Sequence, residues 1–213
     1  MELYLLSTDE AKKLPEAFCL AQFPGRTERA SRLRFAEARL HCLGAGALLS
    51  GAAGLREAEL SKGAWGKPQA EGVHFNLSHS GGYIALAVSR TEVGVDVERV
   101  RPSRLRLADR VLQPDELEWM RKAPLERFFW LWTLKESVMK AVGKGLALPP
   151  RQINVLPLTR GEPIRTETCV LYGRSAPLDG HWLSVCAAEP VEALVPRRMT
   201  AQELTRAWER ENA

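Results

Sequence analysis

Six residues constrain this chain more than any others: Val93-Gly94-Val95-Asp96-Val97-Glu98. They alternate strictly between apolar and small or acidic, the period-two pattern of a half-buried strand. The pleat sends Val93, Val95 and Val97 to one side, towards a core, and Gly94, Asp96 and Glu98 to the other. The two carboxylates then share a face, about 6.5 Å apart along the strand. Gly94 leaves bare backbone beside them, where a ligand can approach. Close carboxylates repel unless a cation lies between them. Mg²⁺ is the natural occupant, because it usually takes one or two carboxylates and fills its shell with phosphate and water. The plainer reading is a solvated edge strand carrying two acids.

A second stretch bears on that choice. Residues 128–141 read as a helix, with Leu131, Leu134, Val138 and Val142 as its buried stripe. Trp132, Glu136 and Lys140 recur at i, i+4 and i+8 on a different face. That face can supply a third carboxylate for a metal and an ammonium for a phosphate. Its plain alternative is a surface Glu–Lys pair worth a few tenths of a kcal/mol.

In chain order, residues 1–7 read as a strand and 9–22 as a weak helix broken near Pro15. Residues 26–39 form an arginine-rich helix that runs on as a buried helix to Leu49, either a solvated face or a wall of positive charge for phosphates. Gly63-Ala64-Trp65-Gly66-Lys67-Pro68 is a turn with Lys67 at its tip. Phe75-Asn76-Leu77-Ser78-His79-Ser80 precedes a diglycine; Ser78 and His79 offer hydrogen bonds, but no nearby Asp completes a hydrolase triad. Residues 83–88 form a buried strand expected to make a hairpin with 93–98. Helices are expected at 114–122 and 125–142, with Pro114 and Pro124 at their starts and Gly143 closing the second. Strands follow at 153–156, 168–172 and 182–187, and Thr200-Ala201-Gln202-Glu203 is a capping box opening a last helix. Gly82–Val88 echoes Gly180–Cys186, which hints at two similar α/β halves meeting near residue 98.

The 213 residues are 45% hydrophobic, enough for one large domain or two small ones. A net charge of +4 suits an acidic ligand, and the basic runs lack the interleaved aromatics of a nucleic-acid binder. Cysteines at 19, 42, 169 and 186 form no C-x-x-C pair, so neither zinc nor a disulfide framework is expected, and reduced thiols point to a cytoplasmic setting. The first residues carry neither the basic nor the apolar region of a signal peptide, and no apolar run reaches membrane-spanning length.

Gly66-Lys67-Pro68, Phe75–Ser80, Gly94–Glu98 and Trp132–Lys140, in this order, resemble the signature set of the Sfp-type phosphopantetheinyl transferases. The resemblance covers about residues 66–145, and the chain's length is similar to that of the two-halved members. It implies an α/β (α+β) fold built as a pseudo-dimer, an N-terminal half at 1–98 and a C-terminal half at 99–213, with the active site at their interface. It implies transfer of phosphopantetheine from coenzyme A to a serine of an acyl or peptidyl carrier protein serving fatty acid, polyketide or nonribosomal peptide synthesis. Asp96, Glu98 and Glu136 would hold Mg²⁺. Lys67, Ser78 and His79 would contact coenzyme A phosphates, joined by Arg39 on the first long helix, and Lys140 would meet the pyrophosphate. Glu136 and Lys140 would be the catalytic pair, and Gly143 to Tyr172 would dock the carrier. A monomer with no membrane or nucleic-acid partner is expected. The competing class is a coenzyme A-binding or carrier-binding module without catalysis; the three filled acidic positions argue against it.

Overall fold

The alternation at 93–98 is realised. In the computed structural model, which describes residues 1–212, Val93, Val95 and Val97 are at most 1% exposed. They pack in one apolar cluster with Leu3, Leu5, Ala85, Ala87, Leu183 and Val185.

In chain order the N-terminal part comprises β1 (Glu2–Ser7), α1 (Thr8–Ala11), α2 (Glu16–Gln22), α3 (Pro24–Ser31), α4 (Ala36–Ala47), β2 (Ser61–Lys62), β3 (Pro68–Gln69), β4 (His74–Ser80), β5 (Tyr83–Ser89) and β6 (Val93–Arg99). After it come α5 (Ala108–Val111), α6 (Pro114–Met120), α7 (Pro124–Val142), α8 (Leu156–Thr159), β7 (Ile164–Arg165), β8 (Val170–Leu178), β9 (His181–Ala187), β10 (Arg197–Met199) and α9 (Ala201–Glu211). One four-stranded sheet has the order β10-β1-β5-β4, the other β6-β9-β8-β7. The strands are antiparallel neighbours except β1 and β10, which run parallel.

The edge strands β4 and β6 meet without a backbone ladder. Instead the Val95, Val97 and Arg99 N–H groups donate to Asn76 Oδ1, Ser78 Oγ and Ser80 Oγ at 2.9, 3.2 and 3.1 Å. Alternate side chains of one strand thus satisfy alternate amides of the other, so the β6 edge is not left bare. This is why the Asn-x-Ser-x-Ser spacing exists, and it sets the two sheets side by side.

Helix α7 lies across β6 and β9. Its first residue is Pro124, and it stops at Gly143, whose φ of 80° is the left-handed closure that glycine allows. The helix is buried nearly all round: besides the expected Leu131, Leu134 and Val138, it buries Phe128, Phe129, Thr133, Lys135, Ser137, Met139 and Ala141. Trp132, Glu136 and Lys140 form its less-buried line. The approach to β6 is so close that a Cβ on Gly94 would lie 2.0 Å from the Ser137 carbonyl oxygen and 2.4 Å from Ala141 N. The bare backbone at Gly94 therefore admits the helix, not a ligand.

Three other sequence expectations need correction. The strands at 83–89 and 93–99 are not a hairpin; β5 is flanked by β1 and β4, and residues 90–92 cross to the other sheet. The arginine-rich helix is two helices, broken at 32–35. Residues 153–156 are not a strand; they lead from a 3₁₀ turn into α8. β6 belongs to the second sheet, and β10 returns to the first. No helix among the described residues is long and apolar enough to cross a membrane.

Candidate active site

Asp96 and Glu98 leave β6 on the side covered by α7. Asp96 is only 3% exposed. Its Oδ1 accepts from Ser78 Oγ at 2.9 Å and from Lys140 Nζ at 2.6 Å. Lys140 also donates to Ser78 Oγ at 2.9 Å and to the Val95 carbonyl at 3.2 Å. Asp96 Oδ2 is buried and has no hydrogen-bond partner among the described residues, an expensive arrangement for a carboxylate oxygen. Glu98 is half-buried, with Oε2 accepting from Ser80 Oγ at 2.9 Å.

Glu136 completes the group. Burial first, and then the negative charge of Asp96, push its pKa up to about 7; Lys140 opposes this. A glutamate held there exchanges a proton at neutral pH. The surface-pair reading of this helix face fails, since Lys140 is bonded across the seam to Asp96 and not along the helix to Glu136. Among the described residues no three His, Cys, Asp or Glu side chains are close enough to form a ready-made metal cage. The donor chemistry nonetheless fits a hard cation: an unpartnered buried oxygen on Asp96, a second carboxylate two residues on, and a third whose ionisation their charge resists.

A buried ion pair fixes the other side of α7. Lys135 and Glu116 are both 0% exposed and 2.7 Å apart. Lys135 also donates to the Pro150 and Ile153 carbonyls, so all three of its protons are used. Glu116 accepts from Gln113 N, capping α6, and from Val155 N. Sequence reading missed this pair: a Lys beside Glu136 on a helix looks solvated until α6 is packed on it.

A cavity of about 490 Å³ is lined by Arg26, Arg29, His41, Pro68, Asn76 and His79, among others. His41 and His79 stack with ring centroids 4.5 Å apart. His41 Nε2 donates to the Gly81 carbonyl at 2.8 Å. Burial, then the charges of His41 and Lys140, push His79 down to about 4, so at neutral pH it offers an N–H and not a charge. Burial and the neighbouring Arg29 also lower Arg26. Arg39 is not brought here; it is exposed and donates to the Leu33 carbonyl. The break at 32–35 leaves Arg26 and Arg29 of this run lining the cavity. No sequence signal marked His41.

Ser78 spends its hydroxyl on the seam between β4, β6 and α7. Lys67 is likewise engaged: its Nζ donates to the Val93 and Ala141 carbonyls at 3.2 and 3.3 Å and lies 3.5 Å from Glu92, and burial lowers its pKa. A larger cavity, about 790 Å³, lies beside Lys67, Trp65, His74, Arg90 and Glu92, and neither cavity's lining includes Asp96, Glu98, Glu136 or Lys140. In the expected docking segment, Lys144 pairs with Glu167 at 2.5 Å; the Leu146 side chain lies outside the described residues.

Known proteins resemble this chain. A family profile described as the 4'-phosphopantetheinyl transferase superfamily matches residues 92–186. A 4'-phosphopantetheinyl transferase of Bacillus subtilis is 35% identical over 151 residues, covering 64% of this chain and 67% of the relative. The 4'-phosphopantetheinyl transferase AcpT of Salmonella typhi is 37% identical over 148 residues, covering 65% and 71%. The 4'-phosphopantetheinyl transferase gsp of Aneurinibacillus migulanus is 37% identical over 93 residues, a match that spans only 41% of this chain and 39% of that protein.

Proposed function

The chain belongs to the 4'-phosphopantetheinyl transferase superfamily, and from that premise we propose that it moves phosphopantetheine from coenzyme A to a serine hydroxyl of an apo acyl or peptidyl carrier protein, releasing adenosine 3',5'-bisphosphate. The observation that carries this reading is the meeting of Asp96 and Lys140 across the β6–α7 seam, with Glu136 raised to about 7 beside them.

Asp96, Glu98 and Glu136 would hold Mg²⁺, whose chemistry is to neutralise the pyrophosphate oxygens as the bond breaks. Glu136 takes the serine proton, for which a pKa near the working pH is suited. Lys140 meets the charge developing on the departing bisphosphate. Arg26 and Arg29 supply the phosphate-binding charge, and His79 adds an N–H. Lys67 and Ser78 position these groups by tying α7 to β4 and β6. The two hairpin-bearing sheets are read as two similar halves flanking the site, and one chain supplies every residue named. Residues from Gly143 to Tyr172 form the carrier-facing segment.

Two outcomes follow. Arg26→Ala with Arg29→Ala is expected to weaken coenzyme A binding by at least about tenfold, the scale of one or two charge-assisted contacts, while kcat at saturating coenzyme A changes little; titration calorimetry and initial rates check this. Release of adenosine 3',5'-bisphosphate on mixing enzyme, coenzyme A and apo carrier should stop in EDTA and return with Mg²⁺. Unchanged release in chelator would remove the metal from the proposal, and tight coenzyme A binding without any release would favour the non-catalytic module.

A further inference from the structure

The ammonium of Lys140 is bonded to the very carboxylate that the proposed function gives to a metal. It makes three contacts, to Asp96 Oδ1, Ser78 Oγ and the Val95 carbonyl, so its three protons are fully used. In that position it has no donor left for a phosphate. Asp96 keeps its second oxygen unpartnered and buried.

We infer that Lys140 is a resident counter-ion for Asp96 that a divalent cation displaces, and that this displacement delivers the lysine to the coenzyme A pyrophosphate. The inference rests on the functional reading above and adds an order of events to it. Two cations cannot both sit against Asp96 without repelling each other. When the metal enters, the Lys140–Asp96 contact is lost and the ammonium swings on its flexible stem. It is 25% exposed and so free to move on its outer side. Its charge is already felt by His79, which lines the arginine-bearing cavity. A phosphate arriving there meets a lysine that the metal has just released. Metal and coenzyme A therefore bind with positive coupling carried by one side chain, and each must tighten the other by the same factor.

The test is direct binding in the absence of carrier. Mn²⁺ is titrated calorimetrically into the wild-type protein and into Lys140→Gln, each without coenzyme A. Removing the competing ammonium is expected to tighten Mn²⁺ binding on the order of tenfold. The factor by which Mn²⁺ tightens coenzyme A should shrink several-fold in the variant. A second measurement uses the wild-type fold alone: with ¹⁵N-lysine labelling, the Lys140 ammonium signal, assigned with Lys140→Arg, is expected to shift when Mg²⁺ is added before any coenzyme A. Equal or weaker Mn²⁺ binding by Lys140→Gln, or a Lys140 signal indifferent to Mg²⁺ that does bind, overturns the exchange and leaves the metal reading standing. Failure of wild type and variant alike to bind either ion would sink the metal reading itself, and the exchange with it.

Discussion

Glu136→Gln is expected to lower kcat by on the order of 10²-fold, the scale for losing a general base, and at the same time to stabilise the metal-free protein above pH 7. The two effects share one cause. The folded protein holds Glu136 at about 7, above its ordinary value of 4.5, because burial and Asp96 both disfavour its charge. A raised folded-state pKa means that the folded state binds the proton more tightly. The resulting stability is fully present below pH 4.5 and is lost as pH rises through about 7. Above that pH an ionised Glu136 costs the fold about 1–3 kcal/mol, with the lower part of the range allowing for solvent screening. Glutamine carries no charge and escapes that cost. The variant should therefore melt a few degrees higher than the wild type at pH 8 in EDTA. The two should converge near pH 4.5, and the wild type should recover its deficit at pH 8 when Mg²⁺ is added. A solvated surface glutamate predicts no difference in melting at any pH, and turnover near normal.

Gly94→Ala is expected to be the most damaging glycine-to-alanine change among the described residues. The new Cβ would fall 2.0 Å from the Ser137 carbonyl oxygen and 2.4 Å from Ala141 N. Both are backbone atoms inside α7, so no side chain can rotate away, and the helix must lift off β6. Overpacking against yielding neighbours costs about 1–3 kcal/mol; against a helix backbone about 4 kcal/mol or more is expected. Lifting α7 also draws Lys140 and Glu136 from Asp96, so any folded remainder should be inactive. Gly82→Ala is the matched control, since nothing lies within 4 Å of its added carbon, and it should stay within about 0.5 kcal/mol of wild type. Denaturant unfolding of both variants measures the contrast, and a Gly94→Ala protein as stable as the control would mean that α7 does not rest on β6 as described.

What the sequence revealed and what it hid divide along physical lines. The strand at 93–98 and the line Trp132–Glu136–Lys140 were legible because strand and helix periods are properties of a single segment. The cap at Thr200 and the stop at Gly143 were legible for the same reason. Pairings between segments were not. Residues 83–89 and 93–99 are adjacent in sequence and look like a hairpin, yet the edge of β6 is filled by β9 on one side and by β4 side chains on the other. The same limit explains Gly94, which looked like space for a ligand because nothing local says that a helix will cover it. Side-chain partners were hidden in the same way. Ser78 and Lys67 carry the right groups for a phosphate, but tertiary packing gives them partners on β6 and α7. Arg26, Arg29 and His41 gather at one cavity only after α3 and α4 fold back beside β4.

The central claim is that these side chains, on one chain, carry out metal-dependent transfer to a carrier serine. Its most direct measurement is the intact mass of apo carrier proteins after incubation with this protein and coenzyme A, with peptide mapping of the modified residue. The account predicts a mass gain of one phosphopantetheine on a single serine when Mg²⁺ is present, little gain in EDTA, and a gain slowed by about two orders of magnitude with Glu136→Gln. A carrier modified equally fast in EDTA, or by the Glu136→Gln protein, would contradict it.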